Sequence, residues 1–156
     1  MAELNLMEIL DMAIEKEKMR RDFYAALTKK FLTGKLHELF VQLEKWEDVH
    51  VDMIIKLRDK INQPAPFEFS AGDLEPYWQF LLKDRLHNLI SADDFCKKVE
   101  TPLQALDYAI GFEKDAVLFF SELLNVVEPD FKHIIAKLVD EEKNHVVYLS
   151  EQKADY

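Results

Sequence analysis

The spacing of the apolar residues constrains this sequence more than any other feature. Along four segments these residues recur at alternating intervals of four and three, which places them on one stripe of a helix. The four predicted helices cover about 6–31, 35–61, 102–127 and 131–152. The 156 residues include only three Gly and five Pro, which is too few turn formers for a many-stranded sandwich or barrel. The sequence therefore predicts an all-α fold.

Short signals mark the starts of two of these helices. Asn5 with Glu8, and Thr101 with Gln104, have the spacing of a capping box, in which each partner's side chain accepts a bond from the other's backbone N–H. Pro102 takes the first helical position, where the missing N–H costs nothing. The first and third helices are therefore expected to begin at residues 6 and 102.

The connections between the helices indicate a bundle. Residues 32–35 and 128–130 are short turns, whereas residues 62–101 separate the second helix from the third. That connection is too long for a hairpin loop, and we expect a short helix near 74–90, where aromatic residues concentrate. Two short turns and one long crossover predict a single four-helix domain over residues 1–156, in which the second and third helices run parallel.

Polar residues interrupt the middle of every stripe. Each stripe carries one glutamate, and the second and fourth stripes add a histidine three residues later, about one helical turn on. These residues are Glu17, Glu47, His50, Glu113, Glu142 and His145. Because they lie mid-helix, they meet at one level of a bundle whichever way each helix runs. We therefore expect four carboxyl groups and two imidazoles in the core.

The two halves of the chain repeat this pattern. An offset of 95 residues relates Glu47 to Glu142, and an offset of 96 relates Glu17 to Glu113. An Ala-Ile-x-x-Glu sequence ends at both members of the second pair, and two adjacent aromatic residues follow each of them. The halves therefore look like two copies of one helical hairpin, related by a pseudo-two-fold axis.

Four buried carboxylates need compensating charge, because mutual repulsion and lost hydration would otherwise protonate several of them or unfold the core. Two divalent cations would neutralise all four and take one imidazole each. Oxygen ligands with few imidazoles suit iron or manganese, and a single cysteine, Cys96, excludes an all-sulfur site. A lone Glu-x-x-His arises by chance, and glutamates at helical spacing usually face solvent. The agreement of four stripes with an internal repeat favours the metal site.

The combined motifs resemble the rubrerythrin branch of the ferritin-like diiron proteins. The resemblance rests on Glu47-x-x-His50, on Glu142-x-x-His145 and on the two Ala-x-x-x-Glu segments with their aromatic pairs. It covers the four helices but not residues from about 63 to 100. It implies a ferritin-like four-helix bundle, two pseudo-two-fold-related hairpins, that holds two iron ions in a dinuclear site; manganese and zinc stay open as alternatives.

The resemblance also implies a role for each polar residue. Glu47 and Glu142 would bridge the two ions. The terminal ligands, one carboxylate and one imidazole for each ion, would be Glu17, Glu113, His50 and His145. Beside them Tyr24 would hydrogen-bond a ligand as a catalytic residue, or else pack as an ordinary aromatic side chain.

Two features depart from the family pattern. Rubrerythrins carry a second glutamate three residues after the third-helix ligand; here that residue is Ala116, and Arg20 stands at the matching place on the first helix. We expect Arg20 to bend outward or to pair with Asp115 or Glu141, because a site for two cations tolerates an unpaired third poorly. One cysteine cannot form the four-cysteine rubredoxin module of rubrerythrins, so electrons would come from a separate donor protein.

The resemblance implies an oxidoreductase that reduces hydrogen peroxide or dioxygen, in the context of oxidative stress, with electrons from that external donor. Two alternatives stay open. One is a protein that binds or sequesters iron or another metal without significant turnover, and the other is a structural dimer that carries a relict site. In each case we expect a homodimer.

The charge balance argues against other classes of partner. With 20 Lys+Arg against 30 Asp+Glu the net charge is -10, which disfavours unassisted binding to nucleic acid or to an anionic membrane. No apolar run reaches the length of a membrane span, and the N-terminus lacks the basic-then-apolar layout of a signal peptide. We therefore expect a cytoplasmic protein in a reducing compartment.

Overall fold

The chain folds into helices. The computed structural model describes residues 5–61, 75–83 and 91–156. The α-helices within these ranges are α1 (Leu6–Lys30), α2 (Gly34–Ile61), α3 (Glu75–Leu82), α4 (Ala92–Cys96), α5 (Pro102–Val126) and α6 (Lys132–Lys153). The described ranges contain no β-strand and no helix with the length and hydropathy needed to cross a membrane. The predicted all-α fold is confirmed.

The four long helices begin and end within one residue of their predicted limits. α1 starts after Asn5 because Asn5 Oδ1 accepts from the Glu8 N–H at 2.8 Å, and Glu8 Oε2 accepts from the Asn5 N–H at 3.2 Å. Thr101 and Gln104 form the same reciprocal pair at the start of α5. Both predicted capping boxes are therefore present, and each satisfies backbone donors that a helix start leaves free.

The crossover differs in part from its prediction. Its first helix, α3, begins near the expected residue but ends at Leu82, and Lys83 forms a turn. The rest of the predicted segment, 84–90, lies outside the described residues. The second helix, α4, is not predicted by the sequence; Ser91 caps it by accepting from the Asp94 N–H at 3.1 Å. Five residues make fewer than two turns, which is too short to show an apolar stripe.

Two hairpins build the bundle. α1 packs along α2 and α5 packs along α6, while α2 and α6 touch across the hairpins. One apolar cluster joins the N-terminal halves of α1 and α6 to the C-terminal halves of α2 and α5. A second cluster joins the opposite halves. The helices α2 and α5 therefore run in the same direction, as the long crossover predicts.

The two short helices complete these clusters. Trp78 of α3 has no exposed surface and meets Phe119 of α5 edge-on, with ring centroids 5.9 Å apart. Phe95 of α4 packs against Phe23 of α1 and Phe112 of α5. The described residues of the crossover thus place Trp78 in one apolar cluster and Phe95 in the other.

A polar layer separates the two apolar clusters. In the described ranges, every buried charged or histidine side chain lies on one of the four long helices between these clusters. Those side chains are Lys16, Glu17, Arg20, Glu47, His50, Glu113, Glu142 and His145. The clusters on either side keep water from this layer, so the charges within it must compensate one another.

The turn between α1 and α2 depends on Gly34, which has φ +84°. A Cβ there would meet no atom within 4 Å, but the left-handed backbone strains any L side chain. We expect Gly34→Ala to lower the free energy of unfolding by about 1 kcal/mol in urea denaturation. Thr33→Ala, an exposed neighbour in the same turn, should change it by less than about 0.5 kcal/mol. Equal losses would show that the backbone angle is not the cause.

Candidate metal centre

The six residues predicted to bind metal lie together in the polar layer. None of them is more than 3% exposed. The contributions are Glu17 from α1, Glu47 and His50 from α2, Glu113 from α5, and Glu142 and His145 from α6. The structure brings all six candidate ligands together, while their binding of a metal stays a prediction.

The ligand atoms of these residues form two overlapping groups. Within each group, one oxygen or nitrogen from every residue lies within 4.8 Å of the others. The Glu17 half-site consists of Glu17, Glu47, His50 and Glu142, and the Glu113 half-site consists of Glu47, Glu113, Glu142 and His145. Two glutamates, Glu47 and Glu142, therefore belong to both half-sites.

Both imidazole rings turn Nδ1 toward the carboxylates. His50 Nδ1 lies 2.8 Å from Glu142 Oε1 and 3.5 Å from Glu47 Oε2. His145 Nδ1 lies 3.3 Å from one oxygen of each of the same two glutamates. The two rings stack with centroids 5.4 Å apart and an interplanar angle of 16°. Each ring thus presents one nitrogen to the shared glutamates.

The other sides of the two rings have different neighbours. His50 Nε2 contacts Glu141 Oε2 at 2.6 Å, whereas His145 stacks on Trp46 with centroids 5.0 Å apart. A carboxylate bonded to the ring nitrogen that does not bind the metal, as Glu141 is to His50 Nε2, fixes the orientation and tautomer of a metal-binding imidazole. The sequence offers Glu141 only as a partner for Arg20 and gives Trp46 no role. Trp46 and Glu141 each precede a shared glutamate by one residue. The 95-residue offset that relates Glu47 to Glu142 therefore also relates these two residues, and this offset is the sequence signal that points to them.

A cleft opens over both imidazoles. Its volume is about 220 Å³, and its lining comprises Trp46, Val49, His50, Glu141, Asn144, His145 and Tyr148. Tyr148 is 46% exposed and stacks on Trp46 with ring centroids 5.5 Å apart. The cleft therefore connects the protein surface to the imidazole side of both half-sites.

Tyr24 contacts the Glu113 half-site. Its side chain is fully buried, and its Oη donates a hydrogen bond to Glu113 Oε1 at 2.5 Å. Its ring also stacks on Phe40, with centroids 6.0 Å apart. The hydrogen bond to a candidate ligand is therefore present together with ordinary aromatic packing, and a catalytic role for Tyr24 stays a prediction.

Arg20 lies inside the polar layer, and the expected outward position is wrong. The residue is 2% exposed, and its Nη2 donates a hydrogen bond to Glu17 Oε1. Burial acts to lower the pKa of Arg20, but the surrounding glutamates, Glu17 most of all, raise it well above its usual value. The expectation fails because it counts only the repulsion between Arg20 and two metals. Four buried carboxylates attract a guanidinium strongly, and that attraction decides where the side chain lies.

The carboxyl groups differ in how readily they hold a proton. Burial and the charges of Glu113 and Glu17 raise the pKa of Glu142 to about 8. Burial and the neighbouring carboxylates also raise the pKa of Glu47. Burial acts in the same direction on Glu113, but contacts with Glu142 and His145 outweigh it and hold the pKa of Glu113 at about 2. The glutamates shared by the half-sites are therefore the ones that retain protons in the metal-free protein.

Several buried ligand atoms lack a hydrogen-bond partner among the described residues. These atoms are Glu17 Oε2, both side-chain oxygens of Glu47, Glu113 Oε2, Glu142 Oε2 and His145 Nδ1. Buried polar atoms are rarely left in this state, because each costs free energy. Two divalent cations would satisfy these atoms together, so the residues present fit a dinuclear metal centre.

We expect the metal-free protein to lose stability as the pH rises from about 6.5 to about 8.5. Burial acts to lower the pKa of His145, but its carboxylate contacts raise it to about 12, and the pKa of Glu142 is about 8. The folded state therefore binds protons that the unfolded chain has released, and a higher pH favours unfolding. Thermal unfolding with a chelator should give the lower midpoint at the higher pH.

Saturating Zn²⁺ provides the control for this experiment. The metal displaces the protons from its ligands, so the loss of stability between the two pH values should disappear. A midpoint that rises with pH in the presence of chelator would contradict the assignment of protons to these two residues.

The chain also matches a family of known proteins. The family model described as Rubrerythrin matches residues 8–146, a range that contains all six candidate ligands. No curated protein and no solved structure gives a significant match. The matched range runs from the first turn of α1 to the last third of α6, and so includes every helix of the bundle. The chain therefore belongs to the rubrerythrin family and has its ferritin-like helical bundle.

Proposed function

We propose that the chain is a diiron oxidoreductase, which reduces hydrogen peroxide or dioxygen with electrons from a separate donor protein. The observation that carries this proposal is the set of buried, unpartnered carboxylate and imidazole atoms in two overlapping half-sites. Membership of the rubrerythrin family supports iron as the metal and peroxide as a substrate.

The overlap of the half-sites supports a role for each ligand. Glu47 and Glu142 would bridge the two metals, because both belong to each half-site. The terminal ligands would be Glu17 with His50 in one half-site, and Glu113 with His145 in the other. Four carboxylates then balance the charge of two divalent cations within a layer that excludes water.

The donor set supports iron. Carboxylate oxygens with one imidazole per metal suit iron or manganese. Bound ferrous iron supplies the two electrons that, with two protons, reduce hydrogen peroxide to two water molecules. Zinc fits the same ligands but has no redox chemistry, so a zinc-filled centre would bind metal without turnover.

The protein's own residues hold these ligands in place. Glu141 fixes His50 through Nε2, and Tyr24 fixes Glu113 through its Oη. The Tyr24 hydroxyl also holds a proton in direct contact with a terminal ligand. The cleft over the imidazoles admits a molecule as small as peroxide, and the apolar clusters keep bulk water from the other sides of the layer.

Metal binding without significant turnover is the second candidate function. The buried guanidinium of Arg20 favours it, because a fixed positive charge bonded to Glu17 opposes full occupation of the centre by metal. A protein of this kind would hold iron or another divalent metal and release it, without cycling electrons to an oxidant.

We expect the protein to bind about two divalent metals per chain at saturation. Glu47→Ala and Glu142→Ala should each remove both metals, because each lost carboxylate belongs to both half-sites. Glu15→Ala and Glu44→Ala, which lie outside the polar layer, should leave the metal content unchanged. Elemental analysis after anaerobic loading with ferrous iron measures this. A content near zero in the unaltered protein would refute the centre.

Peroxide turnover separates the two candidate functions. Hydrogen peroxide mixed with the iron-loaded protein should oxidise the bound iron, and the change in absorbance measures this. A one-electron reductant should then restore the ferrous state, so that the cycle can be repeated. The Glu142→Ala variant, treated in the same way, should give no protein-bound oxidation. Oxidation that occurs once and cannot be reversed by the reductant would favour metal storage over the oxidoreductase.

A further inference from the structure

We propose that Arg20 is a resident cation of the Glu17 half-site, so that the chain fills the Glu113 half-site with a divalent metal first and the Glu17 half-site much more weakly. This inference rests on the proposed metal centre and concerns how that centre fills. The two half-sites have repeated ligands in the sequence, but they bind metal with unequal affinity.

The contacts of Arg20 place its charge on one side of the centre. Its Nη2 donates to Glu17 Oε1, while Nε and Nη1 have no hydrogen-bond partner within the described residues. Among the four glutamates, Glu17 acts most strongly on the guanidinium and Glu113 least. The positive charge therefore belongs to the Glu17 half-site.

Within the part of the chain that the structure describes, no guanidinium bonds the terminal carboxylate of the Glu113 half-site. Tyr24 is the side chain bonded to Glu113, and it is a neutral donor. The position that the internal repeat makes equivalent to Arg20 is Ala116, which is 1% exposed and packs in an apolar cluster. Positions 20 and 116 thus place a buried guanidinium beside only one of two half-sites whose ligands match.

The presence of a guanidinium in only one half-site gives the two half-sites unequal affinities for a divalent metal. A metal entering the Glu113 half-site meets a neutral phenol on the terminal carboxylate. A metal entering the Glu17 half-site meets a guanidinium on the terminal carboxylate, and this group cannot discharge itself by losing a proton. Because the apolar clusters keep bulk water from most of the layer, solvent and salt screen the repulsion between that guanidinium and a divalent cation only weakly.

The total charge of the polar layer also favours weaker binding of the second metal. Two divalent metals and Arg20 carry five positive charges, against four negative charges on the glutamates. With two metals bound and Arg20 still inside, the positive charges exceed those of the four glutamates by one, and the partly exposed carboxylate of Glu141 beyond His50 compensates only part of that excess. The second metal therefore binds only as Arg20 leaves Glu17.

Titration of the metal-free protein with Co²⁺ tests this inference without any turnover. Calorimetry gives the two dissociation constants, and the absorbance of bound Co²⁺ reports each binding event. We expect a tight first site and a second site weaker by at least about tenfold. In Arg20→Met, which keeps an apolar stem but has no charge, the second site should tighten by at least about tenfold and approach the first.

The matched control is Arg21→Met. Arg21 is the next residue on α1 but bonds Asp22 and Asp48 at the surface, so removal of its charge should leave both constants unchanged. Two further variants identify the sites: Glu113→Gln should abolish the tight phase, whereas Glu17→Gln should spare it.

Titration of the unaltered protein is enough to overturn the inference. Two equally tight Co²⁺ sites in that protein would refute it while leaving the proposed centre intact, and so would an Arg20→Met variant that keeps the wide gap. Absence of any Co²⁺ binding would instead refute the metal centre itself, so the two failures are distinguishable.

Discussion

The burial of four carboxyl groups in one layer of the bundle is the constraint on which the rest of the structure depends. Without metal, these carboxylates are compensated by the guanidinium of Arg20, by the two imidazoles, whose pKa values are raised by their carboxylate contacts, and by protons on Glu47 and Glu142, whose pKa values are also raised. Divalent metals would displace these protons from the same ligand atoms. The apolar clusters on either side make this compensation necessary, since they exclude the water that would otherwise solvate the carboxylates.

The long helices and their register could be predicted from the sequence because each carries a strong local signal. Apolar stripes extend over both halves of each helix, and the capping boxes at Asn5 and Thr101 fix two of the starts. The mid-helix position of the glutamates then places them at one level without knowledge of the packing. α4 could not be predicted in this way, because its position depends on burial of Phe95 against α1 and α5 rather than on a local repeat.

The candidate site shows the same division between local pattern and three-dimensional context. Arg20 lies on the inward face of α1, and the electrostatic reasoning that turns it outward is wrong. That reasoning begins from a metal-filled centre, whereas a chain folding without metal first presents its carboxylates to the nearest cation. The contacts of Glu141 and Trp46 with the two imidazoles also follow from the crossing of α2 and α6, which no residue spacing within one helix reveals.

The differences between the halves of the repeat all separate the same two half-sites. The Glu17 half-site has a guanidinium on its carboxylate and the carboxylate of Glu141 on Nε2 of its imidazole. The Glu113 half-site has a phenol on its carboxylate and an indole stacked on the face of its imidazole. A carboxylate on the outer nitrogen makes an imidazole a stronger metal ligand, so Glu141 offsets part of the repulsion from Arg20. The half-site whose carboxylate holds a guanidinium is thus also the one whose imidazole has a carboxylate on its outer nitrogen. The ligands of the two half-sites follow the internal repeat, whereas three pairs of repeat positions, 20 and 116, 24 and 120, and 46 and 141, give the half-sites different charges and contacts.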